Sequence, residues 1–103
     1  MATSTFKNAT DTGVGTSFST AYTVPASTTA VMIGMTVANL GASQIAIEVK
    51  CANTYLVKAA AIPSGSSLSV LDGKIILEAG DTVEVKSDTA ASADVIVSIL
   101  EQA

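Results

Sequence analysis

The chain has no histidine and no tryptophan, one cysteine and four aromatic residues in 103 positions. Each absence closes a class of chemistry. Without histidine, serine has no ordinary general base, so a hydrolytic triad is excluded in its usual form. A Ser–Lys pair could be drawn from the twelve serines and five lysines, but no local motif singles one out. One cysteine and no histidine cannot close a zinc tetrahedron. Cys51 has no partner for an intramolecular disulfide, and it follows Ile45, Ile47 and Val49 at alternate positions, which places it on an apolar face. A nucleophilic thiol needs a cationic neighbour, so a buried, inert one is expected.

Aromatic residues are equally sparse. A cell-surface glycan-binding module would present exposed aromatic platforms, whereas Phe6, Phe18, Tyr22 and Tyr55 are scattered along the chain. Tyr55 alternates with Val57, so it is expected to pack in the core with its hydroxyl at the rim.

Charge is the third shortage. Charged residues make up 14% of the chain, nine acids against five lysines, for a net charge of -4. The usual share is about a quarter. No basic stripe exists to follow a phosphate backbone, so nucleic acid is not an expected partner. Apolar runs break well before the roughly 20 residues that a bilayer span requires, and the N-terminus lacks an apolar signal core. A soluble protein without a secretory signal is therefore expected, and Asn8-Ala9-Thr10, a formal glycosylation acceptor, is read as chance. Serine and threonine supply 25 positions. A surface of hydroxyls and alanines with so little charge is weakly defended against association, which points to a protein buried in an assembly.

What the chain does contain is alternation. In IAIEVKC (45–51), Ile45, Ile47, Val49 and Cys51 face one way and Ala46, Glu48 and Lys50 the other; TVEVK (82–86) repeats the pattern. Period two is the mark of strands with one buried face, and no window shows a helical period. Gly, Pro, Asn and Asp punctuate the chain at 39–43, 62–67, 71–74, 78–81 and 87–94. Between them lie eight strands, at 20–24, 30–38, 44–51, 54–60, 67–71, 74–78, 81–87 and 94–101, with the segment 74–87 read as a hairpin. Turns at this spacing indicate an all-β fold, an antiparallel sandwich or barrel of about eight strands.

Residues 1–19 differ, being rich in Thr, Ser, Gly and Asn with isolated apolar residues at Phe6, Val14 and Phe18. They read as an extended N-terminal arm beside a sandwich domain at 20–103. Such an arm adds a strand to its own subunit or lies over a neighbour; over residues 1–4, where only Met1 and Ala2 are apolar, a frayed terminus is the alternative. Two strands also carry apolar residues on both faces: Ile96 and Leu100 oppose Val95, Val97 and Ile99, and Met32 opposes Val31, Ile33 and Met35. A strand that is apolar on both faces must be covered twice. Phe6, Phe18, Met32, Ile96 and Leu100 are thus the expected interface residues.

The acids offer two further candidates. Calcium would draw on Asp72, Glu78, Asp81, Asp88 and Asp94, but no EF-hand spacing is present. In LEAGDTVEV (77–85), Glu78 and Asp81 could form an acid–base pair. The turn reading is preferred: Ala79-Gly80 reverses the chain, Asp81 accepts hydrogen bonds from the turn backbone, and Glu84 lies on the solvent face opposite or near Lys74. A chain this poor in polar side chains has little with which to line a substrate pocket. No catalytic, metal or cofactor residue is assigned.

Residues 55–101 run from a strand ending in Ile62-Pro63, through a Gly-Ser step at 65 and 66 and a strand ending in Asp72-Gly73, to LEAGD and a final strand of alternating Val and Ile. This phrase order resembles the C-terminal part of small virion proteins of tailed bacteriophages, particularly marine and cyanobacterial ones. The resemblance implies a non-enzymatic β-sandwich on the particle surface, of capsid decoration (cement) type, bound between subunits of the major capsid protein as a dimer or trimer. A neck, tail or fibre accessory role is the alternative it leaves open.

Overall fold

A computed structural model describes residues 4–71 and 73–103. Met1, Ala2 and the calcium candidate Asp72 therefore lie outside the described residues. The chain forms nine strands and, among the described residues, no helix: β1 (Ser4–Val14), β2 (Ser19–Thr23), β3 (Thr29–Asn39), β4 (Ile45–Cys51), β5 (Thr54–Ile62), β6 (Ser67–Ser69), β7 (Ile75–Leu77), β8 (Thr82–Ser87) and β9 (Ala93–Gln102). They build two antiparallel sheets packed as a sandwich. One has the order β1-β9-β3-β6, with β7 also paired to β3; the other has the order β2-β8-β4-β5. Except for the β4–β5 hairpin and the β6–β7 step, each strand is followed by one in the opposite sheet. This is jelly-roll connectivity, in which two Greek keys interlock.

Alternation decides what lies between the sheets. Val95, Val97 and Ile99 of β9, Val83 and Val85 of β8, and Ile45, Ile47, Val49 and Cys51 of β4 are all buried. The β4–β5 hairpin closes through Ala52 and Asn53, both at positive φ (50° and 62°). Two successive left-handed residues make a type I′ turn, whose twist matches that of paired strands. At one end of the core, Asn39 is buried but fully engaged. Its Nδ2 donates to the carbonyls of Ser43 (2.8 Å) and Ile62 (2.9 Å), and its Oδ1 accepts from the Gly41 amide at 2.8 Å.

β3 departs from strict alternation. Met32 lies opposite Ile99 and Gly34 opposite Ser98, so Ile33 is an extra residue without a counterpart on β9. This bulge turns the strand by one position. Met32 and Met35 both face the core, while Ile33 stands outside at 41% exposure. The expectation that Met32 is an outward interface residue is therefore corrected: it is fully buried. The bulge also divides the neighbouring edge, where β7 pairs with β3 at Ala30–Met32 and β6 pairs with it at Thr36–Ala38.

The expected 74–87 hairpin is a second correction. β7 pairs with β3 and β8 with β2 and β4, so the LEAGD turn carries the chain from one sheet to the other. The turn itself has the expected chemistry. Gly80 has φ +87°, the Asp81 amide donates to the Glu78 carbonyl at 2.9 Å, and the Glu78 amide donates to Asp81 Oδ2 at 2.9 Å. Glu84 faces Lys50 of β4 rather than Lys74. The stretch read as an arm supplies β1, which pairs with β9 along the edge of the first sheet.

Two substitutions test these assignments. Met32→Ala is expected to cost about 2–5 kcal/mol in denaturant unfolding, as for any large buried side chain removed from a packed core; an interface residue would cost little. Gly80→Ala is expected to cost about 1 kcal/mol from backbone strain alone, because a Cβ at that position meets nothing within 4 Å.

Candidate functional site

The two outer faces of the sandwich differ sharply in chemistry. On the four-stranded sheet, β4 turns Glu48 and Lys50 outward, β8 turns out Glu84 and Lys86, and β5 contributes Lys58. Lys58 Nζ lies 3.4 Å from Glu48 Oε1, and Lys86 Nζ lies 3.5 Å from Glu48 Oε2. Burial pushes the Glu48 carboxyl upward, but the two lysines outweigh it and hold the group below its ordinary range. Lys58 is raised, first by its hydrogen bond to Tyr55 (3.1 Å) and further by Glu48.

Two aromatic rings join this network. Lys50 Nζ sits 4.8 Å from the Phe18 ring centre and 5.2 Å from that of Tyr55, and Lys86 Nζ sits 5.1 Å from Phe18. Cation–π contacts at these distances pin the Phe18 segment to the sheet. Phe18 is thus half-buried under lysines on this face, away from the other expected interface residues. Tyr55 is exposed here and not in the core, which corrects its expected place. Tyr22 takes the core position instead, with its hydroxyl on the Glu101 carboxylate. Burial and that carboxylate raise the Tyr22 phenol well above its usual range.

The outer face of the five-stranded sheet is nearly free of charge. The register aligns Phe6 of β1 with Leu100 of β9, Leu100 with Val31 of β3, and Val31 with Ile76 of β7. One apolar row therefore crosses four strands. Phe6 is 76% exposed and Ile76 69%, with Ile33 and Ile96 exposed beside the row. The remaining outward positions are mainly serine, threonine and asparagine, and the paired outward residues include one charge, Asp94 at the rim. Its Oδ1 accepts from the Gly13 amide at 2.9 Å. Phe6, Lys7, Asn8, Ile33, Ser98 and Ile99 line a shallow groove along this face.

Three of the five expected interface residues, Phe6, Ile96 and Leu100, share this face, while Met32 and Phe18 do not. Val31, Ile33 and Ile76 were missed. The first two are hidden from alternation by the bulge, but Ile75-Ile76 carried a readable signal, since of two adjacent isoleucines in a strand one must face outward.

No acid–base pair forms at LEAGDTVEV, because the Asp81 carboxylate is turned onto backbone. Among the described residues, no three His, Cys, Asp or Glu side chains converge as metal ligands. Cys51 is buried, and burial, followed by the charge of Asp81, pushes its thiol up to about 11.

No family model matches the chain, and no curated protein matches it. Among solved structures, it is similar to a chain from Bacillus endospore appendages, described as forming a novel family of disulfide-linked pili. The TM-score is 0.54 at 18% identity, over 99% of this chain and 88% of that one. At that identity the likeness is one of fold.

The Cys51 thiol sets a pH dependence. An unfolded thiol ionises around 9 and the folded one around 11, so its contribution to stability is complete below pH 9 and is lost as pH rises towards 11. Equilibrium unfolding between pH 8 and 11 should show a decline of up to roughly 2 kcal/mol from this group. In Cys51→Ala the slope between pH 8 and 10 should flatten.

Proposed function

We propose that this chain is a structural assembly subunit of capsid decoration type, which stabilises a shell by seating the outer face of its five-stranded sheet between subunits of a major capsid protein. The observation that carries this reading is the Phe6–Leu100–Val31–Ile76 row on a face nearly without charge. An apolar row across four strands is a surface that gains free energy when covered. The serines and threonines around it form hydrogen bonds at low desolvation cost, in keeping with the polar rim of a protein interface. The resemblance of residues 55–101 to small virion proteins supports the same reading, as does the scarcity of catalytic side chains. Repetition over a lattice would add many modest contacts into tight attachment.

A pilus-subunit reading can be drawn from the fold shared with the spore-appendage chain. It is the weaker one, because Cys51 is the only cysteine in the 103 residues and its thiol is buried in the core. A neck, tail or fibre location within a virion would differ from the decoration reading in its low copy number per particle.

The test is binding to expanded, empty shells that lack this chain. Saturation at a fixed ratio to the major capsid protein is expected. Phe6→Ser combined with Ile76→Ser should weaken binding by tenfold or more, given roughly 1.5–3 kcal/mol for each large apolar side chain buried. The double variant should keep its unfolding midpoint, and Glu78→Gln should bind normally. Absence of any binding to shells would overturn the proposal.

A further inference from the structure

We infer that two copies of this chain pair through their β1 strands, antiparallel about a two-fold axis at Ala9, so that two five-stranded sheets become one continuous sheet. This inference is independent of shell attachment and starts from the edges of the sandwich. An unpaired strand edge is a template for another strand, and proteins blunt their edges with short strands, bulges or charge. β2 is five residues long and bulged between Thr20 and Tyr22. β5 shifts register twice against β4, between Ile47 and Val49 and again between Val49 and Lys50, and it carries Lys58. β6 and β7 are three residues each. Three edges are therefore protected.

β1 is not protected in this way. Ser4 to Asp11 pair residue for residue with Gln102 to Val95, and the register shifts only beyond Asp11. Its other side is paired with no strand among the described residues. A long, regular, open edge of this kind accepts a strand through main-chain hydrogen bonds, with side chains setting which strand it takes.

The strand it suits is its own copy. β1 spans Ser4–Val14, and its middle residue is Ala9. Antiparallel pairing over the whole strand therefore places Ala9 opposite Ala9 of the second copy. Lys7 then lies opposite Asp11 of the second copy, and Asp11 opposite its Lys7. These are the only two charged residues of β1. Moving the axis to Asn8 or Thr10 would set Lys7 against Ala9 or Gly13 and leave neither charge opposite its counterpart in the second copy. Strand length and charge thus select the same register. The two side chains are already positioned: Lys7 Nζ lies 3.6 Å from Glu101 Oε2, and Ser19 Oγ donates to Asp11 Oδ2 at 2.5 Å. Residues directly opposite in an antiparallel pair interact across strands, favourably when opposite in charge. Such a contact is isologous, as a two-fold dimer requires. It also gives Phe6, at the open edge, a neighbouring strand and places two apolar rows on one surface.

Sedimentation of the full chain over a wide concentration range tests the inference, with circular dichroism to confirm the fold of each variant. A reversible dimer is expected. Lys7→Asp and Asp11→Lys each set like charges opposite one another twice per dimer, and each should weaken dimerisation by roughly tenfold or more. The double swap restores opposite charges and should recover wild-type affinity. Opposing Cα atoms at the axis would lie about 4.5–5.5 Å apart, within disulfide reach. Ala9→Cys should therefore cross-link to itself on mild oxidation, and Thr5→Cys should not. A monomer at every concentration would overturn the inference, as would a dimer indifferent to both single swaps or cross-linked through Thr5→Cys.

Discussion

One extra residue in β3 governs much of the architecture. β3 is the strand on which the five-stranded sheet is organised, with β9 along one side and both β6 and β7 along the other. With Ile33 unpaired, Met32 and Met35 both enter the core, and the strand keeps its grip on β9 before and after the bulge. Without the extra residue, strict alternation would have turned one half of β3 inside out, since a one-residue slip exchanges the two faces of a strand. The bulge also places Val31 and Ile33 outside. The break between β7 and β6 falls beside it, and the Val70 amide donates to the Met35 carbonyl at 2.9 Å across the gap.

The consequence is a molecule with two unlike faces. Lysine and glutamate concentrate on the four-stranded sheet, where they satisfy one another and hold Phe18 in place. Because those contacts are exposed, they contribute little to stability. The core does that work with small branched side chains, and its few buried polar groups, Asn39, Ser87 and Ser92 among them, are hydrogen-bonded. What remains is the outer face of the five-stranded sheet, apolar along one row and hydroxyl-rich elsewhere.

Much of this fold was legible in the sequence. All eight expected strands are present within two residues of their expected ends, because Gly65 and Gly80 mark reversals that need positive φ and because β4 and β8 alternate without interruption. Pairing was harder to read. Local turn chemistry at Ala79–Asp81 is the same whether the chain returns along its own sheet or crosses to the other, so a crossing looked like a hairpin. Parity after a bulge is equally hidden, and with it the burial of Met32 and the exposure of Val31 and Ile33. Tyr55 alternates with Val57 yet stands exposed, and the buried tyrosine is Tyr22, because only the tertiary position of Glu101 gives a buried hydroxyl its acceptor. For the candidate surface, Phe6, Ile96 and Leu100 could be found by asking which apolar residues the core cannot use. Their union into one row could not, since it depends on the register among four strands.

In the proposed assembly, the charge-poor outer face of the five-stranded sheet is the surface that is covered. Imaging of intact particles at a resolution that traces this chain tests it most directly. Protein density is expected against Phe6, Val31, Ile76 and Leu100, with the lysine-bearing face of the other sheet turned to solvent. A particle in which the apolar row faces solvent, and in which Lys50, Lys58 and Lys86 make the contacts, would contradict it.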